Sequence, residues 1–394
     1  MNRNLLLLTF CQGMFLTNNV TFIAINGLVG LALAPRGWMA TLPVMGYVVG
    51  GALSAPLVAH IQRRLGRKRS FQLGLVVAAL AAASCAWAAW AHHFWWLVGS
   101  TLCAGFYSAN ASLYRFAGPE LAAPSYKEKA ISWVLAGGIV GAFVGPNLAS
   151  ATRDLLAAKF VGSYLALIVA ALLSFVALSF IRFPDHHAPA PGDASGRPLA
   201  EIVRQPLFIV AVASAALGYG VMNLLMAATP IAMQQCSHPF SSAALVLEWH
   251  VLGMFVPSFF TGHLIRRLGA LTVMSAGVVL ELVCVLVALS GVELMHFLAA
   301  LFALGVGWNF LYTGGTTLLT AVYRPEEKNK VQGAMDTCVY STMALTSFSS
   351  GALVTTQGWQ WLNLGSLVPI AAVSLALLWL AALQRRTGDL RTAP

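Results

Sequence analysis

The chain has 394 residues, of which 58% are hydrophobic and only 9% charged, with a net charge of +10. A soluble domain carries about 25% charged residues, and no soluble fold has enough interior to hide this much apolar surface, so lipid is the solvent for most side chains. Long continuous apolar runs exclude an outer-membrane barrel, whose strands alternate, and charges confined to short loops form no stripe for nucleic acid.

In chain order the apolar runs fall at 4–33, 38–60, 71–91, 94–117, 129–152, 160–182, 206–235, 240–262, 271–290, 295–321, 331–354 and 360–383. A crossing takes about 20 apolar residues, so the expected fold is an all-α integral membrane protein of twelve transmembrane helices. The first run is too long for a cleaved signal and reads as the first span. One long polar break, opening Phe183-Pro184-Asp185-His186-His187, cuts the chain near its middle. It predicts an N-terminal bundle over 1–183, a cytoplasmic linker over 184–205 and a C-terminal bundle over 206–394. The six cysteines (Cys11, Cys85, Cys103, Cys236, Cys284 and Cys338) show no CxxC pairing and argue for neither a disulfide framework nor a zinc site.

Lysine and arginine orient the spans. With a cytoplasmic N-terminus, 20 of the 23 fall inside, and only Arg36, Arg153 and Lys159 fall outside. The positive-inside rule then places both termini in the cytoplasm of a bacterial inner-membrane protein. The two halves also repeat. His60-Ile61-Gln62-Arg63-Arg64-Leu65-Gly66 follows the second span, and His263-Leu264-Ile265-Arg266-Arg267-Leu268-Gly269 follows the eighth. Tyr126-Lys127-Glu128-Lys129 before span five likewise answers the stretch from Tyr323 to Lys330 before span eleven. Two pseudo-symmetric, parallel six-helix bundles resemble the plan of the major facilitator superfamily. Arg63-Arg64-Leu65-Gly66-Arg67-Lys68 resembles its loop signature, with Arg63 where the family carries the Asp that helps latch the cytoplasmic gate. Gly137-Gly138-x-x-Gly141-x-x-x-Gly145-Pro146 in span five resembles the glycine motif of the drug antiporter branch, and its plainer reading is close helix packing.

Polar groups deep in a bilayer are costly and therefore informative. Among nine histidines only His250 lies near a span centre. Four residues on comes Met254, an HxxxM in span eight, and span seven holds Met222 and Met226, an MxxxM. A spacing of four puts both members of each pair on one helix face. Thioether sulfur and imidazole, with no thiolate or carboxylate cage, suit Cu(I) better than zinc, iron or magnesium. An MxxxM by itself reads as apolar gap-filling. With only 12 methionines in the chain, His250 and Met254 together are the rarer feature.

The pair of motifs resembles the CcoA-type copper importers, a branch of the major facilitator superfamily that supplies copper for haem–copper cytochrome c oxidase. The resemblance implies that Met222, Met226, His250 and Met254 bind copper in transit, by alternating access, with no resident cofactor and no enzymatic step. It also implies that relatives lacking the motifs carry riboflavin. Weaker candidates accompany the four. Met233, Cys236 and His238, at the outer end of span seven, are placed to pass metal inward. Glu248 and Asp336 are candidates for proton coupling or gating, Asp336 with Lys330 or a loop arginine. The expected partners are the copper ion, the lipid bilayer and a cytoplasmic copper acceptor, with the chain working as a monomer. No Gly-rich loop with Lys and Ser or Thr suggests ATP-driven pumping. The competing expectation is a proton-coupled transporter of an organic solute such as riboflavin or a drug, using Tyr107, Tyr114, Trp308 and Tyr312 as cavity aromatics.

Overall fold

The structure, a computed structural model, describes residues 2–122, 127–183 and 196–391. Most of the expected linker, 184–195, and Tyr126 of the basic-acidic repeat lie outside the described residues. Fourteen helices are described. The first half holds α1 (Arg3–Leu33), α2 (Leu42–Trp90), α3 (Phe94–Ala111), α4 (Tyr114–Leu121), α5 (Lys127–Thr152) and α6 (Val161–Ser179). A short α7 (Leu199–Ile202) precedes the second half. That half holds α8 (Pro206–Gln235), α9 (Phe240–Phe255), α10 (Ser258–Leu268), α11 (Ala270–Ser290), α12 (Leu294–Leu319), α13 (Lys328–Thr356) and α14 (Gly358–Arg391).

The twelve expected spans map onto these helices once α2 is taken as spans two and three run together and spans four and eight as broken. At about 1.5 Å per residue, α2 is roughly 70 Å long, twice a bilayer. It turns back at Gly66, whose φ of 76° and ψ of 169° leave the helical region. Its repeat mate Gly269 adopts φ 83° and ψ 153° between α10 and α11. Only glycine takes such a backbone without strain, so the repeated Arg-Arg-Leu-Gly marks one and the same turn in both halves. Span four is broken between α3 and α4, and span eight between α9 and α10 with a 42° bend. In span eight Pro257 removes a backbone donor and ends α9.

Packing shows the two-bundle plan. In the first half α1 lies on α5, and α2 lies on α3 and α6. In the second, α8 lies on α13 and α12, α9 on α12, and α11 on α12 and α14. The bundles meet where α5 touches α9, where α2 touches α13, and where α1 touches α8. Exchanging the halves turns the first contact into the second and maps the third onto itself, as a pseudo-twofold axis requires. The glycines of span five explain how closely α5 approaches α1. A Cβ on Gly137 would overlap the Thr9 carbonyl, and one on Gly141 would overlap Leu16. Thr21 Oγ1 also donates to the Gly145 carbonyl at 2.9 Å. The span-five motif is thus a packing surface.

Hereafter the face carrying the basic loops is called the basic face. There the missing signature Asp is bypassed. Arg67 pairs with Glu120 at 2.6 Å, and Lys68 Nζ donates to the carbonyls of Ser179 and Ile181 at 2.6 and 3.0 Å. On the same face Arg197 clamps the stretch before α7 onto the loop before α13. Its backbone N–H and Nε donate to Glu327 Oε1 at 2.7 and 3.0 Å, and its terminal nitrogen donates to Oε2 at 2.8 Å. Lys330 Nζ donates to the Arg197 carbonyl. The Arg197 side chain and the Arg324 N–H hold the Glu327 carboxyl well below the usual carboxylate range. A lowered carboxyl contributes stability above its unfolded pKa and loses it only as pH falls through the lowered value. The clamp is therefore intact from neutral pH to below the ordinary carboxylate range. Glu327→Gln should lower the melting temperature of the purified protein by a similar amount at pH 7 and pH 5. A deficit that vanishes by pH 5 would contradict this assignment.

Candidate functional site

At the opposite face the bundles are joined by side chains. Thr41 Oγ1 donates to the Ser347 carbonyl at 2.6 Å and accepts from the Gly351 N–H at 3.0 Å. Trp38 meets Phe348 edge-on at 5.9 Å. Asn147 Nδ2 on α5 donates to Glu248 Oε2 on α9 at 2.9 Å. Glu248, a candidate for proton coupling, is thus a tie between bundles in this conformation, and it faces α5 because it lies half a turn from His250.

His250 is fully buried on α9. Its Nδ1 lies 2.7 Å from the Leu301 carbonyl of α12. A carbonyl only accepts, so Nδ1 carries the proton and Nε2 presents its lone pair. That Nε2 is buried with no hydrogen-bond partner. Met254, one turn on, is buried, and its carbonyl accepts from Asn309 Nδ2 at 2.7 Å. Met222 and Met226 are buried on α8. The three methionines belong to one apolar core cluster. Helix α9 rests mainly on α12 and α5, however, and meets α8 only along a short seam. Among the described residues no three His, Cys, Asp or Glu side chains gather at one point.

The remaining candidates are dispersed. Met233 is fully buried on α8. Cys236 caps the C-terminal end of α8, half-buried, and partial burial raises its thiol pKa. His238 Nε2 donates to the Val292 carbonyl at 2.8 Å, so its ring is tied to the loop before α12. Asp336 is exposed on α13, and its expected partner Lys330 is instead engaged with Arg197. The charge that reaches Asp336 comes from Arg115 at the start of α4, in the other bundle.

Arg115 leads to a site that the methionine and histidine motifs do not include. Trp308 and Tyr312, four apart on α12, stack with centroids 5.2 Å apart and planes at 10°. Tyr219 of α8 meets both edge-on at 5.2 and 5.6 Å, and Phe255 of α9 approaches Trp308 at 6.4 Å. Three helices of the second bundle thus build one aromatic wall. The Arg115 guanidinium is within electrostatic reach of Tyr219, Tyr312, Tyr340 and Asp336. Trp308 Nε1 and Arg115 Nε are buried donors with no hydrogen-bond partner. The arrangement offers a flat π surface with N–H donors beside it, which suits a planar aromatic solute with acceptor atoms on its rim. Sequence reading had Trp308 and Tyr312 but missed Tyr219 and Arg115. A tyrosine in an apolar span and an arginine counted as loop charge carry no local signal. Tyr107 and Tyr114 are core residues instead, packed on Phe15 and Phe71 at 5.7 and 4.8 Å.

Comparison with known proteins narrows the reading. A profile of the Major Facilitator Superfamily matches residues 5–247 and 211–393. The riboflavin transporter RfnT of Brucella anthropi is 40% identical over 378 residues, covering 95% of each chain. Among solved structures, a bacterial homologue of the iron transporter ferroportin in its inward-facing state is 14% identical. It has a TM-score of 0.68 and covers 95% of this chain and 98% of that one. The nucleoside transporter NupG is 16% identical, with a TM-score of 0.70 and coverage of 96% and 99%. A metal carrier and a nucleoside carrier match equally well, so those two likenesses speak for the fold alone.

Proposed function

The chain belongs to the major facilitator superfamily, and from that premise we propose that it carries riboflavin, or a flavin closely like it, across the bacterial inner membrane by alternating access. The observation that carries the proposal is the aromatic wall of Tyr219, Trp308 and Tyr312 within electrostatic reach of Arg115. A flavin is a flat tricycle with carbonyl and ring-nitrogen acceptors, which stacks on such a wall and takes hydrogen bonds from Trp308 Nε1 and Arg115. The extensive identity to a protein named as a riboflavin transporter supports the same cargo. In this reading the basic face is cytoplasmic. The bundles 1–183 and 206–394 rock about the wall, joined by the linker 184–205. Asp336 facing Arg115 is the proposed gate between them. The test is uptake of labelled riboflavin by a riboflavin-auxotrophic bacterium expressing the chain.

A second reading, import of Cu(I), is favoured by one specific observation. His250 Nε2 is a buried lone pair without a partner, one turn from Met254. Imidazole and thioether donors suit that ion. Met222 and Met226 complete the proposed set, with Met233, Cys236 and His238 as a path toward it. This reading requires copper accumulation in cells that express the chain, and loss of that accumulation on His250→Ala with the protein still inserted.

A further inference from the structure

A cavity lies at the face opposite the basic loops, and none of the aromatic-wall residues lines it. Its volume is about 650 Å³, and both bundles line it. Its charged lining is of one sign: Arg153 and Lys159 from the stretch after α5, joined by the titratable rings of His92 and His238. These two cations are notable because only three lysines and arginines of the whole chain fall on this face in the sequence-based topology. Among the described residues no carboxylate lines the cavity. Arg153 Nε forms a loose ion pair with the exposed Asp154, whose Oδ1 lies 3.7 Å away, too long for a hydrogen bond. Arg153 is held in place from both sides of the bundle interface. Its guanidinium carbon lies 5.5 Å from the ring centroids of Phe160 and Phe240, which meet edge-on at 5.2 Å. Its Nε is buried with no hydrogen-bond partner. The rest of the wall is apolar, with Leu33 and Pro230 among its members.

A fixed arginine and a free lysine on the rim of an apolar hollow suit a molecule with a negatively charged group and a hydrophobic or aromatic body. We propose that this cavity is a binding site for an organic phosphate, seated with its phosphate at Arg153 and Lys159 and its body against the apolar wall. A soluble phosphorylated aromatic and the headgroup of an anionic lipid share that chemistry. The site is independent of which cargo the aromatic wall carries.

The experiment uses the full-length protein in nanodiscs and a matched pair of probes, flavin mononucleotide and riboflavin, which differ by one phosphate. In purely zwitterionic discs the mononucleotide should bind about tenfold more tightly than riboflavin, since 1.4 kcal/mol of phosphate contact is tenfold. Its binding should weaken as salt rises, because the cations are near solvent. Arg153→Gln with Lys159→Gln should remove the preference and leave riboflavin binding unchanged, whereas Trp308→Ala should leave the salt-sensitive phosphate preference in place. Lys159→Gln alone, at an exposed residue that cannot unsettle the fold, should cost a smaller part of the preference, and Lys159→Arg should restore it. If adding phosphatidylglycerol to the discs displaces the mononucleotide, the site holds and a lipid headgroup is the competing source of phosphate. Equal affinity for the two probes, or a phosphate preference that survives the double substitution, would overturn the proposal. Neither result bears on riboflavin uptake, which is measured separately in cells.

Discussion

Trp308→Ala should reduce riboflavin uptake by about tenfold or more while the protein still reaches the membrane. The reasoning starts from the stack of Trp308 on Tyr312, closed at its edge by Tyr219. Removing one aromatic partner from a stacked planar ligand costs about 1–3 kcal/mol, and each 1.4 kcal/mol is about tenfold in affinity. Truncation also deletes the Nε1 donor, which has no hydrogen-bond partner within the protein. Trp308→Phe keeps a ring and loses the donor, and should fall between the two. The loss should appear mainly as a raised KM. In the same strains copper accumulation should not follow the Trp308 series, because no sulfur or imidazole is touched. Uptake by Trp308→Ala at the parental level would remove the aromatic wall from the transport path.

Gly305→Val should abolish transport of any cargo, a larger effect from a residue with no chemistry of its own. Helices α9 and α12 cross where Gly253 and Gly305 face each other. A Cβ on Gly305 would overlap the His250 carbonyl oxygen and stand 3.0 Å from the Met254 nitrogen. Both are backbone atoms, so no rotamer relieves the clash and α9 must move as a body. Overpacking of this kind costs about 1–3 kcal/mol and sometimes more. Displacing α9 here moves His250 and Met254, and with them Phe255 beside Trp308. Gly99→Ala, where nothing lies within 4 Å of the added atom, is the matched control and should be silent or mildly stabilising. Normal uptake by Gly305→Val at normal protein levels would show that the α9–α12 crossing is looser than the structure has it.

The architecture was legible because membrane spans are written in composition. Twelve apolar runs, a repeated Arg-Arg-Leu-Gly and the bias of Lys and Arg toward alternate loops needed no tertiary information. The breaks were harder to read. Pro257 splits span eight visibly in retrospect, yet prolines are tolerated in other spans, as Pro56 within α2 and Pro146 within α5 demonstrate. The site was only partly legible. A spacing of four states which residues share a helix face but not which neighbour that face meets. His250 faces α12, fixed by a bond to the Leu301 carbonyl that no side-chain pattern announces. The aromatic wall joins Tyr219 to Trp308 and Tyr312 across 89 and 93 positions, and the charge of Arg115 reaches it from the other bundle. Long-range juxtapositions of common residue types leave no periodic signal. The sequence reading pairs Asp336 with Lys330 or a loop arginine; Lys330 is drawn instead to the carbonyl of Arg197, within the linker, and the arginine that reaches Asp336 is Arg115.

One measurement tests the central claim most directly: uptake of labelled riboflavin and of copper in a single riboflavin-auxotrophic strain. It compares the parental chain with Met222→Leu/Met226→Leu, a volume-conserving change that removes both span-seven thioethers. The expected result is riboflavin uptake by the parental chain, inhibited by excess unlabelled flavin and retained in the double variant, with copper content unchanged throughout. Copper accumulation by the parental chain that the double variant abolishes, with no riboflavin uptake in either, would contradict the flavin reading and put the Met222, Met226, His250 and Met254 site in its place.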